Sequence, residues 1–239
     1  RLRLISVGLA VALVLAVPWS DQLIPTKAAG TKALAAALET KRGAEVVLTK
    51  WTPISRIDVL EADDSTHPYL TNVPGDQMKM LSADGDAQTY MFLHGDVSQS
   101  VARPVPAFLT NYHAAFLLKQ RPEVLIIGPG GGNEIFTGHQ MGASRITGVE
   151  LNPVMLDMTL NRYADFAGNL YGSSKAEAVV GEGRSYVRRS DRTFDIIQMS
   201  GVDTWAGLSS GAYVLSENYL YTVEAFTDYL DHLKPDGLL

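Results

Sequence analysis

Val124-Leu-Ile-Ile-Gly128-Pro-Gly130-Gly-Gly132-Asn-Glu134 decides the fold of this chain. Four apolar residues without a polar break read as a strand buried on both faces, as in a parallel sheet. The glycine turn lets the backbone reverse sharply and approach a ligand that any Cβ would block, and a helix opens after it. Working outward, strands and helices alternate. Arg145–Val149, Ala176–Val180 and Phe194–Met199 predict strands, while Ala114–Lys119, Val154–Tyr163, Arg184–Arg188 and Thr222–Leu233 predict helices. Such alternation predicts an α/β fold, a Rossmann-like doubly wound parallel sheet covered on both faces. His232-Leu-Lys-Pro-Asp-Gly-Leu-Leu239 reads as a helix stop, a turn and the start of another strand, so the chain is expected to stop inside its sheet.

Upstream the rhythm differs. Ala28–Arg42 is rich in Ala and Leu and predicts a helix, with Gly43 as its C-cap. Glu45–Lys50, Ser55–Glu61, Met78–Ser82 and Gln88–Leu93 predict strands, the last two joined by the turn Ala83-Asp84-Gly85-Asp86. These make a small antiparallel unit. Pro104 and Pro106 mark its boundary, which gives 28–108 as helix plus β unit and 109–239 as the Rossmann-like domain. Residues 1–27 hold the apolar run Leu4–Trp19, flanked by Arg1 and Arg3. Its 16 residues fall just short of the ~20 that span a bilayer. The run is expected to be the end of a transmembrane helix with Trp19 at the interface; a signal-peptide core and a buried soluble helix are the alternatives. The corresponding location is the inner or plasma membrane with the catalytic domain cytoplasmic, although the Arg and Lys flanks do not fix orientation.

Composition narrows the function classes. The 239 residues are 46% hydrophobic and 19% charged, which excludes disorder, collagen and coiled coil. A net charge of −6 without a basic run argues against nucleic acid as a partner. Without cysteine there are no disulfides, no thiolate catalysis and no sulfur-bound zinc. The five histidines lack metal-ligand spacing, so no metal is expected.

Three strand ends carry chemistry. Gly128, Gly130 and Gly132 form the first turn. Glu150 ends the next strand, where a carboxylate can accept from both ribose hydroxyls. Glu182-Gly183 follows the third strand, placed to meet an adenine amino group. Together they predict an adenosine site. The alternative is packing turns with solvated acids. The turn lacks the usual G-x-G-x-x-G of NAD proteins, which favours a nucleoside without pyrophosphate such as S-adenosylmethionine; no Walker lysine follows.

On these residues the chain, from about Trp51 onward, resembles the spermidine/spermine synthase family, the polyamine aminopropyltransferases. The resemblance is strongest to a subgroup fused to membrane helices. Asp84-Gly85-Asp-Ala-Gln88 is similar to the family's D-G-x-x-Q turn, whose Gln contacts the sulfonium nucleoside. Tyr112-His113 is similar to its Y-H-E step, whose His helps hold the amine, with Ala114 in place of the Glu. Val124–Asn133 is similar to the G-G-G-D-G-G loop, Glu150 sits on the ribose-binding Glu, and Glu182-Gly183 on the adenine-reading Asp-Gly. Leu233-Lys-Pro-Asp-Gly is similar to L-K-P-G-G. The resemblance implies the fold of S-adenosylmethionine-dependent transferases, S-adenosylmethionine or its decarboxylated form as co-substrate, a small amine as acceptor, and a homodimer or membrane-protein partners.

Two departures stand out. The loop Asp that grips the diamine is Gly131, and the D-S-S-D-P segment whose first Asp takes the proton reads Ser200-Gly-Val-Asp203-Thr. An ammonium of pKa near 10 must lose a proton before it attacks, and Ser has no useful basicity unless a second base activates it. Asp203 and Ser200 are therefore the catalytic candidates, with His113, Tyr112 and Asp203 as substrate contacts. Trp205, Tyr213, Tyr219 and Tyr221 are candidates to wall an amine pocket. Arg188, Arg189 and Arg192 read as a solvated turn. Three functions fit: an aminopropyltransferase-like enzyme on an amine, an S-adenosylmethionine-dependent methyltransferase, or an inactive nucleoside-sensing or structural domain of a membrane assembly.

Overall fold

The computed structural model describes residues 30–65, 73–99, 112–202 and 219–239, together with residue 28 and positions 5, 6, 8, 11, 12, 14 and 15. Helix α1 (Ala33–Thr40) precedes strands β1 (Glu45–Trp51), β2 (Arg56–Glu61), β3 (Met78–Ala83) and β4 (Ala87–Phe92), which pair antiparallel in chain order. Strand alternation sends Leu60, Met78, Met80, Tyr90 and Phe92 to one face, under Leu34 and Ala37 of α1. Ile57, Val59, Leu81 and Met91 occupy the other face and join the core of the second sheet. Fully burying one such side chain contributes roughly 1.5–3 kcal/mol, so the shared core ties the small sheet to the large one.

The Ala-rich pattern overestimates α1, which starts at Ala33 rather than Ala28. Its start is set by the β3–β4 hairpin tip: the Leu34 amide donates to the Gly85 carbonyl at 2.9 Å, and Lys32 Nζ to the Asp84 carbonyl at 2.6 Å.

The second sheet contains β5 (Glu123–Ile127), β6 (Arg145–Glu150), β7 (Ala176–Val180), β8 (Phe194–Met199) and β9 (Leu233–Leu238). Its order is β7-β6-β5-β8-β9 and every pairing is parallel. Val124 and Ile126 of β5 face Ile135 and Phe136 of α2 (Asn133–Gln140), whereas Leu125 and Ile127 face Val187 of α4 (Gly183–Arg189) and Tyr229 of α5 (Val223–Asp231). Helix α3 (Pro153–Asp157) runs into a π turn over Met158–Arg162. The strand order reverses between β5 and β8, so their carboxyl ends open the crevice where α/β sheets hold ligands.

Three expectations change. Ala114–Lys119 is not a full helix but a 3-10 turn, Phe116–Leu118, anchored only by buried Phe116; Leu117 and Leu118 are both 73% exposed. Arg188 and Arg189 are exposed in the last turn of α4, but Arg192 is not solvated. It lies 2.7 Å from Glu123 and 3.2 Å from Thr147, and Lys234 links Glu123 (3.3 Å) to Asp195 (2.9 Å), so charges from three strands and the loop before β8 clamp the amino-terminal edge of the sheet. In the N-terminal run the described positions are helical, with Ile5 67% and Val14 70% exposed. Among the described residues no helix is long and apolar enough to cross a membrane.

Candidate functional site

Backbone geometry builds the turn after β5. Gly128, Gly130 and Gly132 have φ of +67, +47 and +88°, left-handed values that glycine adopts without steric cost. Gly131 has a different reason for lacking a side chain. A Cβ there would stand 2.2 Å from the Tyr90 carbonyl oxygen, so the loop is pressed against β4. Thr89 Oγ1 accepts from the Gly131 amide at 3.1 Å, and Asn133 Nδ2 donates to the Tyr90 carbonyl at 2.9 Å. The small sheet thereby forms one wall of the glycine loop. Thr89, not Gln88, makes the side-chain contact. Alternation puts exposed Gln88 on the other face of β4, where it accepts from the Tyr90 hydroxyl.

Glu150 closes β6, only 9% exposed. Its carboxylate accepts from the Asn152 amide at 3.0 Å and the Gly130 amide at 3.3 Å. Burial raises its pKa, and the backbone donors oppose that rise. Two carboxylate oxygens have about four acceptor positions, so capacity for ribose hydroxyls remains. Asn152 caps α3 through the Val154 and Met155 amides, with Pro153 favourable at the first helical position. Its amide also donates to Ser55 Oγ at 3.0 Å, a second tie to the small sheet.

Glu182 takes an N-cap role in α4, accepting from the Arg184 amide at 2.9 Å and the Ser185 amide at 2.7 Å. Burial pushes its pKa up, but the Ser185 and Arg184 hydrogen bonds outweigh that and leave it below the usual carboxylate value. It is ionised at neutral pH and remains able to accept. Gly183 is glycine because a Cβ there would lie 2.3 Å from Ile127 Cγ2.

Glu134 is the side chain that sequence reasoning passed over. It lies in the first turn of α2, 5% exposed, inside the buried stretch Asn133–Gly138. The Ser200 hydroxyl and its own amide both favour the charged form of its carboxyl. Burial, reinforced by nearby Glu150, raises its pKa to about 7 despite both. Ser200 follows β8 directly. Because Ile127 pairs with Met199, Ser200 comes level with Gly128 at the strand-order reversal. Tyr112 lies close enough to feel the Glu134 charge; burial first, then that charge, pushes its phenol to about 12. Tyr171 is raised by burial and by both Glu150 and Glu134, and its hydroxyl has no hydrogen-bond partner among the described residues. The one signal for Glu134 was a carboxylate among residues of a helix turn that bury on every side.

The structure therefore gathers Gly128, Gly130, Gly132, Glu150, Ser200 and Tyr112 around one sheet edge, with Glu182 and Gly183 at the end of the neighbouring strand. His113 is half-buried in the turn beside Tyr112. Asp203, Trp205 and Tyr213 lie outside the described residues. Tyr219 and Tyr221 flank a 3-10 turn and are 56% and 45% exposed. Among the described residues no group of three or more His, Cys, Asp or Glu has the arrangement of a metal site.

No family model matches the chain. Over 128 residues it is 28% identical to polyamine aminopropyltransferase 2 of Hyperthermus butylicus, covering 52% of this chain and 39% of that protein. Its fold is similar to that of spermidine synthase from Thermotoga maritima, with a TM-score of 0.50 and 21% identity, covering 80% of this chain and 55% of that one. Spermidine synthase in complex with the transition-state analogue AdoDATO matches at a TM-score of 0.48 and 19% identity, over 79% of this chain and 53% of that one. The chain thus spans about half or less of the length of these relatives. The sequence is thus similar to that of a polyamine aminopropyltransferase, and the parallel α/β fold to that of a spermidine synthase.

Proposed function

We propose that this chain forms the nucleoside-binding part of a transferase that uses S-adenosylmethionine or its decarboxylated form and acts on a small amine. The observation that carries the reading is the convergence of the left-handed glycine turn with buried Glu150 and ionised Glu182 at successive strand ends. Glu150 offers acceptors to ribose hydroxyls, Glu182 to an adenine amino group, and the glycine turn leaves room for the backbone to meet the sulfonium side. Aminopropyl transfer is the first reaction to test, because the named relative is a polyamine aminopropyltransferase. Methyl transfer is the second. The contact of Gly131 with the Tyr90 carbonyl leaves no loop carboxylate to hold a second ammonium, which suits a smaller acceptor.

Isothermal calorimetry against S-adenosylmethionine, its decarboxylated form, methylthioadenosine and NAD tests the reading. Preference for the decarboxylated form supports aminopropyl chemistry, and preference for S-adenosylmethionine supports a methyltransferase. Binding of none of them refutes a nucleoside enzyme and leaves a structural domain on an inherited fold.

Membrane attachment through Leu4–Trp19 is part of the same proposal. Exposed Ile5, Val11, Val14 and Leu15 on helical backbone support it. Alkaline extraction of membranes from expressing cells checks it: release into the supernatant rules out an integral anchor.

A further inference from the structure

The carboxylate assigned to the ribose belongs to the large sheet, yet the group that aims it is held by the small one. We propose that Ser55, in the turn between β1 and β2, is a positioning residue for nucleoside binding: through Asn152 it fixes the direction in which Glu150 presents its carboxylate to the ribose. This rests on the transferase reading above and adds to it a dependence of ribose recognition on the small sheet.

Each link is a hydrogen bond. The Asn152 amide donates to Glu150 Oε1 at 3.0 Å, while the Gly130 amide reaches Oε2 at 3.3 Å, so Asn152 makes the shorter of the two holds. Its backbone is fixed in turn by its own buried side chain, which is engaged at both ends. Oδ1 accepts from the Val154 and Met155 amides at 3.0 and 3.4 Å, and Nδ2 donates to Ser55 Oγ at 3.0 Å. Thr52 Oγ1 lies farther from the same nitrogen, at 3.4 Å. Serine or aspartate would cap α3 as well as asparagine does. Asparagine adds to the cap oxygen a separate N–H donor, and here that donor reaches a residue 97 positions away.

Ser55 is itself a fixed point. Its amide donates to Thr52 Oγ1 at 3.0 Å, and its carbonyl accepts from the Thr52 hydroxyl at 2.8 Å and the Thr52 amide at 3.0 Å. The next residue is tied to the β3–β4 hairpin: the Arg56 amide donates to Asp84 Oδ1 and the Asp84 amide to the Arg56 carbonyl, both at 2.8 Å. The path Ser55–Asn152–Glu150 therefore carries the position of the small sheet to the sheet edge. Hydrogen bonds weaken steeply as their angle departs from linear, so a carboxylate that swings loses its ribose contacts before it loses its burial. The adenine end is assigned to Glu182, which α4 holds through its own Arg184 and Ser185 amides. The effect of Ser55 falls on the ribose hydroxyls alone.

The test compares methylthioadenosine with its 2′,3′-dideoxy analogue by calorimetry on the full chain, the weaker ligand by competition. The ratio of the two affinities measures what the ribose hydroxyls contribute. Ser55→Ala should lower that ratio roughly 3- to 10-fold with affinity for the dideoxy analogue unchanged. Asn152→Ser keeps a cap oxygen for α3 but is too short to reach Ser55, and should lower the ratio by a similar factor. The double variant should lose no more than either single one, because both cut the same path. Ser55→Thr retains the hydroxyl and should hold the ratio near its parental value. A general loosening of the fold would weaken both ligands together and leave the ratio where it was, which overturns the inference. Losses that multiply in the double variant overturn it too, since Ser55 would then act on the nucleoside independently of Asn152. Equal affinity of the unaltered protein for the two ligands overturns the inference while leaving the transferase reading in place. Failure of the unaltered protein to bind methylthioadenosine overturns that reading and the inference with it.

Discussion

Replacing Glu134 by Gln should make the protein more stable above neutral pH. The carboxyl is raised from 4.5 to about 7, chiefly because burial removes the water that would solvate its charge. Below about pH 4.5 both folded and unfolded chains hold the proton, so Glu134 does not affect the balance. Between 4.5 and 7 the unfolded chain ionises while the folded one stays protonated, and stability is lost as pH rises. Above 7 the loss is complete. A rise from 4.5 to about 7 at ~1.4 kcal/mol per pH unit sets it at about 3.5 kcal/mol, an upper bound because a buried site relaxes. Gln preserves the shape and one carbonyl oxygen but carries no charge. Urea unfolding of both proteins at half-unit steps from pH 4.5 to 8.5 isolates the effect, since other titrating groups largely cancel in the difference. The difference should grow with pH in favour of the variant and level off above 7. In melts at pH 8 it corresponds to several degrees at this chain length. A difference that is flat with pH, or a less stable Gln protein at pH 8, refutes the burial argument.

Restoring a loop acid should fail: Gly131→Asp, like Gly131→Ala, drives a Cβ to 2.2 Å from the Tyr90 carbonyl. Each should cost about 1–3 kcal/mol in urea unfolding and weaken methylthioadenosine binding by calorimetry, with no gain in diamine affinity. Glu182→Ala should lose ~1 kcal/mol of helix capping in the same unfolding assay. Glu182→Gln should retain most of that stability yet bind methylthioadenosine more weakly, which separates capping from adenine reading. Arg192→Ala should cost roughly 1 kcal/mol by removing one of the two cations on Glu123 at the far edge of the sheet, Lys234 remaining, with nucleoside affinity unchanged in calorimetry.

Much of the architecture was legible because it depends on local signals. The apolar run Val124–Ile127, the glycines after it and the recurrence of short β-branched stretches give the parallel sheet, and strand alternation in Ser55–Glu61 gives the small one. What could not be read depends on contacts distant in sequence. Gln88 and Thr89 differ only in strand phase, and which of them meets the glycine loop is decided by the face of β4 that packs on Met91 and its neighbours. Arg192 looks like a solvated charge until β5 and β6 bring Glu123 and Thr147 beside it. The length of α1 is set by a hairpin tip fifty residues downstream in rough terms, not by its own alanines.

The two departures from the aminopropyltransferase pattern share a physical logic. Pressing the glycine loop against β4 removes the space for an acid at Gly131, and the same contact fixes Asn133 and the start of α2 through the Tyr90 carbonyl. With that helix start held in place, the next residue, Glu134, is carried into the buried interior. A carboxylate on the end of β8 would then sit against Glu134 and Glu150 at close range, and a third negative charge in one buried region would push further pKa values upward. Serine avoids that repulsion, being uncharged. A Ser200→Asp variant should therefore lose stability as pH rises from 5 to 8, read by urea unfolding beside the unaltered protein, and a difference that is flat with pH would show that the end of β8 lies clear of the two buried carboxylates.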